Sequence, residues 1–244
     1  MSVSSSNIWN FDIFDFFVGV VSGLVTWLVI YTLNPEFVLS LFPNIDVLIL
    51  VFFGIIISYI LGRIVEQIAR SLEGEILGKQ KPFDHEMVET RNSKHGEVHE
   101  KFLKGSQKFF GLDINWDDEI KRVQGTNDLF MCLRSYLTTN NISTRVERFQ
   151  VSYLLFRNLY FSFLLGTILH LAKLLLYFDS NGVSLDVPVQ YPVSIFGFLA
   201  LSYISYGQRV RYHQRMVKVM IYSFYSEELR NCERLDDTCQ QSEA

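Results

Sequence analysis

The stretch from Tyr160 to Phe178, YFSFLLGTILHLAKLLLYF, decides how the rest of the chain reads. About 20 helical residues cover the roughly 30 Å hydrocarbon core of a bilayer, and this stretch has the length and apolarity to do so. Inside it His170 and Lys173 lie one helical turn apart. An imidazole and an ammonium in a membrane segment need a physical reason, because intramembrane ionisable groups are costly.

Working outward, three further apolar blocks have the same character. They are Phe14–Leu33, ended by Asn34-Pro35; Ile45–Gly62, closed by Arg63; and Val193–Gly207. With the block above, taken from about Asn158 to Phe178, they predict four transmembrane helices. The fourth is short, about 22 Å of helix. It fits with Tyr203 and Tyr206 at the interface and Arg209 snorkelling. The fold class expected is therefore an all-α integral membrane protein.

Lysine and arginine set the orientation. The segments 1–13, 34–44 and 179–192 contain neither residue, and every Lys or Arg except Lys173 falls in 63–157 or after Gly207. By the positive-inside rule both basic segments face the cytoplasm, which places both termini inside. The N-terminus has no basic region of the signal-peptide kind, so the first span is expected to stay in the mature protein. The domains expected are a first hairpin over 1–62, a cytoplasmic helical region over 63–157, a second hairpin over 158–207 and a cytoplasmic extension with a polar tail over 208–244.

On this topology the third span runs outward. Lys173 lies about 7.5 Å from its outer end and His170 about 12 Å. Lys173 either snorkels to the outer face, pairs with Asp46 at the outer end of the second span, or lines an ion or substrate path. His170 can be neutral at little cost. No Asp or Glu lies in the interior of a span, which argues against proton-coupled transport. Small residues recur at helical spacing: Gly19 and Gly23 in the first span, and Gly54, Ser58 and Gly62 in the second. This spacing lets helix backbones approach closely, within the bundle or between protomers.

Three spans are predicted to extend into the cytosol. Ile60, Ile64, Ile68 and Leu72 form one stripe, with Glu66 and Arg70 in the favourable i, i+4 order. Val146, Phe149, Tyr153 and Phe156 form another ahead of the third span, with Ser143 or Thr144 as N-cap, and Val210, Val217, Ile221 and Phe224 a third. Together they predict a helical stalk. Between them, short amphipathic helices are expected in EVHEKFLKGSQKFF and in TNDLFMCLRSYLTTN, the latter capped by Thr126 or Asn127.

Candidate chemistry is sparse. His95 and His99 have i, i+4 spacing, which could hold a metal from one helix face, but Gly96 weakens the helix and the segment, which also holds His85, reads as a solvated face. DINWDDE (Asp113–Glu119) begins like a calcium loop, yet Asp118 stands where glycine is required and Gln124 where Glu is; Asp113 or Asn115 as a helix cap is the expectation. Cys132, Cys232 and Cys239 have no CxxC spacing and read as reduced cytosolic thiols. Arg209, Arg211, Arg215 and Lys218 read either as the positive-inside anchor or as a site for anionic lipid headgroups. With a formal net charge of −4, no global basic field argues for nucleic acid. No nucleophilic triad or phosphate loop occurs, so neither an enzyme nor a bound cofactor is expected.

SYILGRIVEQIARSLEG followed by ERFQVSYLLFRNLYFSFLL resembles small bacterial four-span membrane proteins, in which two hydrophobic hairpins bracket a cytoplasmic helical insert. The resemblance implies location in a bacterial inner membrane and permits a setting in stress or phage defence. The function expected is non-enzymatic, sensing or transmitting a signal or acting as a membrane effector, with the bilayer, a second copy of the chain and a cytoplasmic protein as partners. The alternative is a small oligomeric channel or transporter subunit.

Overall fold

The computed structural model describes residues 13–40, 47–76, 83–84, 97–140, 144–181 and 188–226. Every element among them is helical: α1 (Ile13–Leu33), α2 (Pro35–Ser40), α3 (Val47–Ile76), α4 (Glu97–Phe110), α5 (Glu119–Thr139), α6 (Thr144–Asn181) and α7 (Gln190–Phe224). Three of them contain stretches long and apolar enough to cross a membrane: Phe16–Leu33 in α1, Val51–Leu72 in α3 and Arg145–Asp179 in α6. The Val193–Gly207 block lies within α7, a 35-residue helix that is not among the three.

The helix ends follow from local chemistry. Asn34 closes α1 and opens α2, its Oδ1 accepting from Phe37 N at 3.1 Å, with Pro35 in the first helical position where its missing N–H costs nothing. Gly111 ends α4 at φ 66°, and Leu112 N donates back to Gln107 O at 2.9 Å, a glycine C-cap of the Schellman type. Asp118, rather than Asp113 or Asn115, caps α5; its Oδ1 accepts from Ile120 N at 3.1 Å and Lys121 N at 3.2 Å. Asn115 Oδ1 holds the approach by accepting from the Asp117 and Asp118 amides. The predicted cap at Thr126 or Asn127 is thereby corrected. Thr126 sits inside α5 and its hydroxyl donates to Arg122 O.

The chain divides into two compact units, residues 1–73 with 151–210, and 74–150 with 211–244. Helices α6 and α7 each run unbroken from one unit into the other. In the first unit the usual polarity is inverted. Phe17, Leu24, Leu28, Phe52, Phe53, Leu175, Leu176 and Phe196 are exposed, while Ser22, Thr26, Ser58, Asn158, Ser162 and His170 are buried. Such a distribution suits a bundle whose outer solvent is hydrocarbon, where helices associate through small and polar residues.

The second unit has an ordinary apolar core. Thr126, Leu129, Leu133 and Leu137 line one face of α5 at steps of three and four, and they pack with Phe102 of α4, Val146 of α6 and Met216, Met220 and Phe224 of α7. Phe224 is the hub, with Phe102, Phe109, Phe110 and Tyr136 at 5.4–6.0 Å between ring centroids. Buried Asp84 ties its segment to α5 by accepting from Arg122 Nε at 3.2 Å and from the Thr126 hydroxyl at 3.2 Å.

Candidate functional site

The distinctive chemistry of the first unit lies along its interior. Its framework is a close approach of α1 and α3. A Cβ added at Gly23 would fall 1.6 Å from the Ser58 carbonyl oxygen, and one at Gly62 would fall 1.8 Å from that of Gly19. Gly19 itself faces the Tyr59 ring. Gly54, by contrast, meets nothing within 4 Å. Gly19, Gly23, Ser58 and Gly62 thus form a contact within the protomer, from which Gly54 stands apart.

A line of polar side chains follows this framework. On α6, Asn158, Ser162, Gly166 and His170 recur every fourth residue and all are buried, so they share one face over about 18 Å. Thr26 Oγ1 of α1 meets Ser162 Oγ at 3.2 Å, and Ser202 Oγ of α7 donates to Tyr160 O at 3.4 Å. Ser22 and Thr26 also donate to carbonyls one turn back in α1. Three buried side-chain atoms on this line have no hydrogen-bond partner among the described residues: Ser58 Oγ, Asn158 Nδ2 and His170 Nε2.

His170 is 1% exposed and packs against Phe198 at 5.2 Å between ring centroids. Its Nδ1 lies 2.9 Å from Gly166 O. A carbonyl can only accept, so Nδ1 carries a proton and donates it there. Lys173, one turn on, donates its Nζ to the carbonyl of Leu33 and lies 5.7 Å from the Tyr191 ring centre. Leu33 is the last residue of α1, where carbonyls lack intrahelical partners and the helix dipole favours a cation. The ammonium therefore caps a neighbouring helix. Its predicted partner Asp46 lies outside the described residues.

The other end of the line is ionic. Glu66, buried on α3, accepts from Arg63 Nη1 at 2.5 Å and Arg70 Nη2 at 2.6 Å, with Arg157 Nη2 of α6 at 3.7 Å. Arg157 is 5% exposed at its side chain and also points at Asn158 Oδ1 at 3.4 Å. Sequence spacing identifies Glu66–Arg70 but not the cross-helix partner, because only tertiary packing brings Arg157 to α3. Of the four basic residues after the fourth apolar block, Arg209 is buried, whereas Arg211, Arg215 and Lys218 are exposed at steps of four and three along α7. Arg209 is buried in the first unit, its guanidinium 5.2 Å from the Tyr206 ring centre. Arg211 and Arg215 are exposed in the second unit, and Lys218 there lines a cavity.

Among the described residues no group of three or more His, Cys, Asp or Glu could hold a metal. His85 and His95 lie outside the described residues, as does the side chain of His99. Cys132 is a free thiol, partly buried. In the second unit the Asp118 carboxyl is held below the ordinary carboxylate range, chiefly by the Lys121 backbone amide. Glu100 is lowered by its hydrogen bond from Lys104. The hydrogen bond to Asp84 raises Arg122, keeping it charged.

Comparison with known proteins finds no match. Neither protein-family models, nor curated proteins, nor solved structures resemble the chain detectably.

Proposed function

We propose that the chain is a non-enzymatic integral membrane protein of four spans, α1, α3 and the apolar parts of α6 and α7, which transmits a cytosolic event to the membrane. Both termini and the second unit are cytoplasmic in this reading, following the Lys and Arg distribution. The observation that carries it is the continuity of α6 and α7. Each is one unbroken helix that contributes to the polar-lined bundle and to the Phe224 core. A change in the packing of the second unit then has a covalent, hydrogen-bonded route into the bundle. The protein acts as an oligomer with a cytoplasmic protein partner, in the stress or phage-defence setting that the family resemblance permits.

A second reading, an oligomeric channel or transporter subunit, is favoured by one feature. The buried line from Glu66 and Arg157 to His170 includes polar atoms with no partner among the described residues, and buried polar and ionisable groups in membrane bundles are found along water or ion paths. Ion flux in proteoliposomes separates the two. Robust flux from purified protein alone supports the channel, whereas flux or recruitment only with a cytosolic partner present supports transmission.

A further inference from the structure

The second unit contains a cavity of about 350 Å³ between the first turn of α6 and the end of α7. It is lined by Arg145, Lys218, Val219, Tyr222, Ser223, Tyr225 and Ser226. We propose that this cavity binds a small soluble molecule carrying a phosphate group and a flat or apolar portion. The proposal rests on the second unit being the receiving end of the protein, and it names what is received.

Among the described residues that line it, two are cationic, Arg145 and Lys218, and none is acidic. Both are exposed at its rim, and an anion bound there gains an attraction from each. The backbone adds to this. Arg145 lies in the first turn of α6, a 38-residue helix, where amide groups lack intrahelical acceptors and the dipole favours negative charge. Arginine and lysine are each suited to phosphate, the one as a planar fork and the other as a point charge.

The remaining surface shapes the rest of the ligand. Tyr222, Tyr225 and Val219 give an apolar wall that a phosphate alone would leave uncovered. The volume matches the lower range of small-molecule sites, in which an apolar lining with a few polar groups sets orientation. Ser223 and Ser226 lie on the same rim, and Ser226 Oγ donates to Ser223 O at 3.1 Å. Lys218, which the sequence groups with Arg209, Arg211 and Arg215 as an anchor or a lipid-headgroup site, also lines this cavity with Arg145.

The test uses the full chain in phosphatidylcholine nanodiscs, with AMP as a phosphate on a flat ring, adenosine as the same ring without phosphate, and inorganic phosphate. Calorimetry is expected to show AMP binding, with adenosine at least about tenfold weaker because the charge-assisted bonds are absent. The double substitution Arg145→Gln/Lys218→Gln should weaken AMP by about tenfold or more while circular dichroism stays unchanged. Tyr222→Ala should weaken AMP but leave inorganic phosphate unaffected. Failure of both AMP and inorganic phosphate to bind at millimolar concentration overturns the proposal, as does equal AMP binding by the double variant. A third overturning result is phosphatidylglycerol, added to the nanodiscs, occupying the site in place of AMP; the phosphate then comes from lipid. None of these outcomes bears on the flux and recruitment test above, so the two readings fail separately.

Discussion

Substituting alanine at Gly62 probes the α1–α3 contact more sharply than any other change. The new methyl carbon would lie 1.8 Å from the Gly19 carbonyl oxygen and 2.8 Å from Ser22 Oγ. Ordinary Cβ contacts begin at about 3.4 Å, so the helices must separate locally by about 1.5 Å. A gap of that size forfeits a quarter to a half or more of the dispersion energy of each facing atom pair. Overpacking of this kind costs about 1–3 kcal/mol, and the upper half is expected because the obstacle is backbone, which no rotamer change can clear. Gly23→Ala, 1.6 Å from Ser58 O, should cost as much. Gly54→Ala meets open space and should be neutral, or stabilising by up to about 1 kcal/mol through helix propensity. Once the helices have moved apart, the second alanine finds room, so Gly23→Ala/Gly62→Ala should cost less than the sum. Reversible unfolding in mixed detergent micelles, read by circular dichroism, gives the four differences. If Gly62→Ala proves as stable as Gly54→Ala, the close-approach reasoning is wrong.

Other parts of the account make separate predictions. Lys173→Met keeps the stem but removes the ammonium from the α1 carbonyl, and should lower detergent stability by about 1–2 kcal/mol; an unchanged transition midpoint would dismiss the cap. Glu66→Gln leaves buried Arg157 without its carboxylate and should cost about 3 kcal/mol or more, largely recovered when Arg157→Gln is added. A double variant no better than the single would show that the pair does not couple. Phe224→Ala removes the ring that Phe102, Phe110 and Tyr136 surround, and should destabilise the second unit by about 3–5 kcal/mol, seen as loss of near-ultraviolet dichroism. The Asp118 carboxyl is lowered in the folded protein, so its contribution is present above its ordinary range near pH 4 and is lost as pH falls below it. Protection factors of the Ile120 and Lys121 amides, relative to the intrinsic exchange rate at each pH, should therefore fall below about pH 4 and should be low at every pH in Asp118→Ala.

The helical character and three of the four apolar spans were legible because they rest on composition and spacing over whole turns. Val146, Val217, Ile221 and Phe224 were placed on apolar stripes by periodicity alone and are buried, whereas Ile60, Ile64 and Ile68 of the α3 stripe are exposed. The small-residue pattern was legible only in part. Gly54 has the same i, i+4 spacing to Ser58 as Gly62 does, and only the crossing of α1 over α3 decides which glycine is enclosed. The start of α5 was misplaced because Thr126 is a good cap residue by type. Asp118 won because the loop held by Asn115 aims its carboxylate at two free amides. The contact of Lys173 with the Leu33 carbonyl was not legible, because a backbone carbonyl at a helix end carries no signature in side-chain sequence. The Glu66–Arg157 pair spans elements far apart in the chain, and no local rule could join them.

Side-specific labelling of single cysteines tests the central claim most directly. In a chain with Cys132, Cys232 and Cys239 changed to serine, Glu36→Cys, Asp179→Cys, Gln107→Cys and Ser226→Cys are introduced one at a time. A membrane-impermeant maleimide is then applied to intact spheroplasts. Four spans with both termini inside predict labelling at positions 36 and 179 from outside, and at 107 and 226 only after permeabilisation. Labelling of positions 179 and 226 from the same side would mean that α7 does not cross, and the proposed architecture would fail.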